Sequence, residues 1–94
     1  LYTDAISLEE AGCFAIIAEM VESKVATVLA SQITPPLVGI GSGPDCDGQI
    51  LVTQDLLGLT VKGVPSFVSP YANLARDASV ALSRYVGDVR KKRK

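Results

Sequence analysis

Histidine is absent from the 94 residues. This removes a Ser-His-Asp triad, a histidine-based zinc site and any imidazole base from the segment. Acid–base chemistry here must come from aspartate or glutamate. Cysteine is scarce: Cys13 and Cys46 stand alone, in no metal or redox spacing. Two free thiols in a reducing compartment is the expectation, with cytoplasm as the default location. Long apolar runs are also missing. The longest, Ala11 to Ala18, is interrupted by Gly12. It is far too short to span a bilayer and lacks the flanks of a signal peptide. The only methionine is Met20 and the chain opens at Leu1, which reads as a cut N-terminus.

Basic residues are missing from most of the chain. Net charge is −1, yet five of nine basic residues are the last five, Arg90 to Lys94. The other 89 residues carry 4 basic and 10 acidic side chains. A basic tail can meet nucleic acid or an anionic membrane. It can equally be a solvated helix end whose cations complement the dipole. No aromatic residue is interleaved in it and no second basic patch exists, so neither nucleic acid nor membrane is expected as a partner.

Apolar residues make up 48% of the chain, enough for a packed core. Thr3 to Ala11 reads as a helix capped by Thr3 and ended by a left-handed Gly12. Phe14 to Ala18 is continuously apolar, the pattern of a strand buried on both faces, and it stops at Glu19. Ser23 can cap a helix over 24–31, with Val25, Val28 and Leu29 on one face. Pro35 and Pro36 stop it. Leu37 to Ile40 reads as a second strand, and Ile50 to Val52 as a third. A loop over 58–69 leads to a final helix starting at Ser69-Pro70, with an apolar stripe through Leu74, Ala78, Leu82, Tyr85 and Val89. Buried strands separated by crossovers argue for a parallel α/β sheet, part of a doubly wound fold or of a (βα)8 barrel.

Functional groups in such folds sit at the C-terminal ends of strands. Glu19, Gly41 and Thr53 to Asp55 occupy those ends. Glu19 is the best candidate for chemistry. An apolar surround there disfavours the charged form and suits proton abstraction near neutral pH. The plain alternative is a glutamate turned to solvent. Gly39 to Gly43 fails the dinucleotide fingerprint, because Pro44 and Cys46 stand where its last glycine belongs, and it lacks the lysine of a P-loop. An anion cradle of backbone N–H groups, or a close backbone approach, stays open. Asp45-Cys46-Asp47-Gly48 fails as a calcium loop, since Gly43 and Gln54 fall on its acidic end positions.

Taken in order, these segments resemble the ketopantoate hydroxymethyltransferase family. The resemblance is carried by Leu8-Glu9-Glu10-Ala11-Gly12, Phe14 to Glu19, Gly39 to Pro44, Asp47 to Val52 and Asp55 to Gly58. It runs to about Val89. It implies the C-terminal part of a (βα)8 TIM barrel of the phosphoenolpyruvate/pyruvate-binding type, about strands 6 to 8 with flanking helices. Residues 1–89 would be a partial barrel domain and 90–94 a basic tail. The implied reaction moves a hydroxymethyl group from 5,10-methylenetetrahydrofolate to 3-methyl-2-oxobutanoate, giving 2-dehydropantoate for pantothenate synthesis. The implied cofactor is Mg2+, with its ligands outside this segment. A homo-oligomer and a small keto acid are the implied partners. Residue by residue, the family's base falls on Glu19, its substrate-lining valine on Val52, and its glycine-rich strand end on Gly41. The chain departs from the family pattern at Glu22-Ser23, where a proline is usual, at Ser42 for a common alanine, and at Gln54 for a common histidine. Two other readings compete: a non-catalytic remnant serving folding or subunit assembly, and a small anion-binding module.

Overall fold

The computed structural model describes residues 1–92. They form two compact units, residues 1–51 and 52–92.

The first unit opens with α1, Tyr2–Glu10. Its N-cap is Leu1, without a side-chain cap, so Thr3 lies inside the helix instead of capping it. Its end follows the expectation. Gly12 takes φ +91°, its N–H donates to Glu9 O at 3.0 Å, and the Cys13 N–H reaches back to Leu8 O at 3.3 Å. These paired bonds are a Schellman motif, which satisfies carbonyls that a helix end leaves open. β1, Ile16–Glu19, pairs in parallel with β2, Leu37–Ile40, from Ile16 opposite Leu37 to Glu19 opposite Ile40. Between them runs α2, Ser23–Gln32. Glu22, not Ser23, occupies the N-cap, and it has no side-chain cap bond. α2 buries Ala26 and Leu29, whereas Val25 and Val28 stay exposed. The buried face of α2 is therefore rotated from the expected one, away from Val25 and Val28 and toward Ala26. Prolines at 35 and 36 push the preceding backbone to extended conformations, and Ile33 is already extended.

β3 is Gly48–Gln49, parallel to β2, giving the order β1-β2-β3. The expected strand over Ile50 to Val52 is thus displaced toward the N-terminus. Backbone pairing sets the shift. Asp47 N–H donates to Leu37 O at 2.8 Å and Ile50 N–H to Gly39 O at 3.0 Å. The Asp47 carboxylate also accepts from the Leu37 N–H at 2.7 Å. The core joins Ala5 of α1, Ile16 and Ala18 of β1, Leu29 of α2, Ile33 and Leu37, with Leu37 fully buried. Only one face of β1 is covered: Ile16 and Ala18 are buried, while Ile17 and Glu19 are exposed. The expectation of burial on both faces does not hold in this unit.

In the second unit, Val52 caps the one-turn helix α3, Thr53–Leu56. The last helix, α4, is Leu74–Lys91. It starts at Asn73, whose side chain accepts from the Arg76 N–H at 3.3 Å, and not at Ser69-Pro70. The residues before it have other work. Tyr71 N–H donates to Leu56 O, Leu74 N–H to Leu57 O and Ala75 N–H to Gly58 O. The turn after α3 thereby takes up N–H groups that a first helical turn leaves free. Arg90 and Lys91 close α4 as its last turn. Residues 93 and 94 of the basic tail lie outside the described residues.

Candidate functional site

Parallel pairing brings the C-terminal ends of β1 and β2 side by side. Glu19 ends β1 opposite Ile40, and Gly41 follows Ile40 directly. Met20 N–H donates to Ile40 O at 2.8 Å, which carries the ladder one residue past Glu19. Met20 itself has φ +52°, the left-handed region that non-glycine residues rarely adopt. Gly41 and Gly43 take φ +66° and +87°, conformations that only glycine adopts without strain. A side chain at Gly43 would also overlap Ser23 at the start of α2. Gly39 plays a packing part: its missing Cβ makes room for the Cys46 thiol.

Ser42 sits between the two loop glycines and is 1% exposed. Its hydroxyl donates to Ala18 O at 2.7 Å and accepts from the Val21 N–H at 3.0 Å. It thus spans the turn that contains Glu19 and Met20. Farther out, Gln49 Nε2 donates to Gly43 O at 2.9 Å and Thr27 Oγ1 donates to Asp45 Oδ2 at 3.2 Å.

Glu19 is exposed, so the apolar surround expected for its carboxylate is not supplied by the side chains beside it. A shallow cavity of about 170 Å³ runs between α1 and β1, lined by Ala5, Leu8, Ile17, Glu19 and neighbours. It contains acidic Asp4 and Glu19 and no basic side chain, so it does not by itself suit an anionic substrate. A groove of about 470 Å³ lined by Tyr2, Val25, Val28 and Leu29 carries none of the candidate residues. The structure brings Glu19 and Gly41 together on neighbouring strand ends, while Val52 belongs to the second unit. Sequence reading missed Ser42 as a bridge and Met20 as a strained position. Nothing in the local sequence marks Ser42 as a bridge to positions 18 and 21, and nothing marks a methionine for positive φ.

Among the described residues no group of three or more Cys, Asp or Glu side chains could hold a metal ion. Cys13 and Cys46 are free and half-buried. No helix among the described residues is long and apolar enough to cross a membrane.

These features define a mixed α/β chain with a small parallel sheet that has Glu19 and Gly41 at neighbouring strand ends, the position where α/β enzymes place their chemistry. The family model described as ketopantoate hydroxymethyltransferase matches residues 1–93, and the chain belongs to this family of transferases. Its relatives include the 3-methyl-2-oxobutanoate hydroxymethyltransferase of Clostridium botulinum, 47% identical over 89 residues, which are 95% of this chain and 32% of the relative. That of Chlorobaculum parvum is 48% identical over 90 residues, covering 96% and 32%. That of Nitrosopumilus maritimus is 48% identical over 89 residues, covering 95% and 32%. The chain spans about a third of the length of the curated relatives it matches.

Proposed function

We propose that this chain forms the C-terminal part of a (βα)8 barrel that makes 2-dehydropantoate. The hydroxymethyl group comes from 5,10-methylenetetrahydrofolate and goes to 3-methyl-2-oxobutanoate, in the cytoplasm, within a homo-oligomer. The observation that carries this reading is family membership over residues 1–93. The position of Glu19 at a strand's C-terminal end supports its part as the base.

In this reading the Glu19 carboxylate takes the proton from C3 of the keto acid. The C3–H bond breaks, an O–H bond forms on Glu19, the C–H electron pair forms the C2=C3 double bond, and the carbonyl π pair moves onto the C2 oxygen to give the enolate. Gly41 lacks a side chain and leaves room beside Glu19 for the substrate. Val52 takes the substrate-lining role that the resemblance assigns to it. The magnesium ion that the resemblance implies would take its ligands from outside this segment; among the described residues no group of three or more acidic or cysteine side chains could hold it. No step here is routed through the ion.

The test grafts the 94 residues into the Clostridium botulinum relative in place of its matched third. Exchange of the C3 proton with deuterated water is followed by NMR. Glu19→Gln keeps size and removes the base, so exchange should slow by roughly 10²–10⁴-fold, with half-saturation little changed. Exchange as fast as in the parent graft rules out Glu19 as the base.

A further inference from the structure

We infer that Ser42 is a positioning residue, which sets the aim of the Glu19 carboxylate by clamping the turn after β1. The inference rests on the reading of Glu19 as the base and adds to it a residue that does not touch substrate.

The geometry is specific. Glu19 is held on one side by the ladder through Ile16 to Ala18 and on the other by a single ladder bond, from the Met20 N–H to Ile40 O. On its other side the chain must leave the sheet and enter α2 at Ser23. Met20 makes that departure in a left-handed conformation at φ +52°. For a residue with a Cβ this conformation costs free energy and persists only where its surroundings hold it. Two contacts hold it here. Met20 N–H is bound by Ile40 O. The residues on either side of Glu19-Met20 are tied to one buried hydroxyl: Ala18 through its carbonyl and Val21 through its N–H. Ser42 uses both its donor and its acceptor capacity in doing so. Without that hydroxyl, the Val21 N–H and Ala18 carbonyl lose their shared partner. The turn then relaxes toward ordinary φ values, and the Glu19 Cα–Cβ direction turns with it. A shift on the order of 1 Å at a base can cost as much as about 10²-fold in rate.

A rescue follows from the backbone. Glu22 has φ −52° and ψ 133°, close to the value that a proline ring imposes. Glu22→Pro therefore stiffens the same turn from its far end without touching Glu19 or Ser42.

The experiment uses the graft described above. Ser42→Ala should slow C3-proton exchange at saturation by roughly 10–10²-fold, with half-saturation unchanged. Ser42→Ala with Glu22→Pro should recover most of the loss. Gly12→Ala, which strains the end of α1 without touching this turn, should leave the rate unchanged; this separates aim from general destabilisation. Hydrogen exchange at the Met20 amide is read on the same proteins whatever their activity. It should be well protected in the parent, less protected in Ser42→Ala as the turn loosens around its bond to Ile40 O, and well protected again in the double variant. An unchanged rate in Ser42→Ala, an equal loss in Gly12→Ala, or an equally protected Met20 amide in Ser42→Ala overturns the inference. If Glu19→Gln alone leaves exchange fast, the base assignment fails, while the amide measurement still decides whether the clamp exists.

Discussion

Glycine positions in this chain separate two costs that are often merged. Gly12 and Gly43 both hold positive φ, +91° and +87°. Around Gly12 there is open space, whereas a Cβ on Gly43 would lie 2.7 Å from Ser23 Cβ and closer still to its hydroxyl. Gly12→Ala therefore pays only the conformational term, about 1 kcal/mol. Gly43→Ala adds overlap at the first residue of α2, and should cost roughly 2–4 kcal/mol in total. Urea titration of the two variants within the graft tests the difference. Equal midpoints would mean that the Ser23 contact is easily relieved. The same residue scale shows why Glu19 could be singled out and Ser42 could not. An acid closing an apolar run is visible in one dimension. A hydroxyl that joins positions 18 and 21 to position 42 becomes visible only once two parallel strands are paired.

Secondary-structure elements whose limits are set locally were legible, and those set by pairing were not. Leu37–Ile40 and the Gly12 helix stop follow from apolar run length and glycine chemistry, which act within a few residues. β3 does not. Its position is fixed by bonds from Asp47 and Ile50 to Leu37 and Gly39, and these ignore the apolar run that drew attention to Ile50 to Val52. The start of α4 was misread for a related reason. Ser69-Pro70 is a good local start signal, but Tyr71 donates to Leu56 and the helix begins behind the cap on Asn73. This makes a prediction at the level of the element. Asn73→Ala removes the side-chain acceptor that caps the start of α4 and should destabilise by about 1 kcal/mol. Ser69→Ala should be close to neutral. Thermal melts of the graft variants decide it; a larger loss for Ser69→Ala would restore the earlier start. In β2, Leu37 is fully buried. Leu37→Ala should cost roughly 2–5 kcal/mol, measured by the same melts.

For the whole molecule, the uncovered apolar surface decides behaviour. In the first unit β1 lies at the end of the strand order, so among the described residues its outer edge is unpaired, and Phe14 and Ile17 beside it are 92% and 64% exposed. In the second unit α4 buries none of its residues, although Leu82, Tyr85, Val86 and Val89 recur at helical spacing along it. An open strand edge invites pairing with another chain, and an apolar stripe left in water favours association. Relatives about three times as long match this chain at 47–48% identity, and in the proposed barrel the remaining strands and helices would cover such surfaces. The 94-residue polypeptide made alone should therefore self-associate or stay loosely packed. Sedimentation velocity over a hundredfold concentration range should show mass rising with concentration. A dye that fluoresces on apolar surfaces should bind at low concentration, before any aggregate forms. A monomer at every concentration, with a sharp melt independent of concentration and no dye binding, would mean that these surfaces are covered within the 94 residues, and the barrel-segment reading would lose its main physical support.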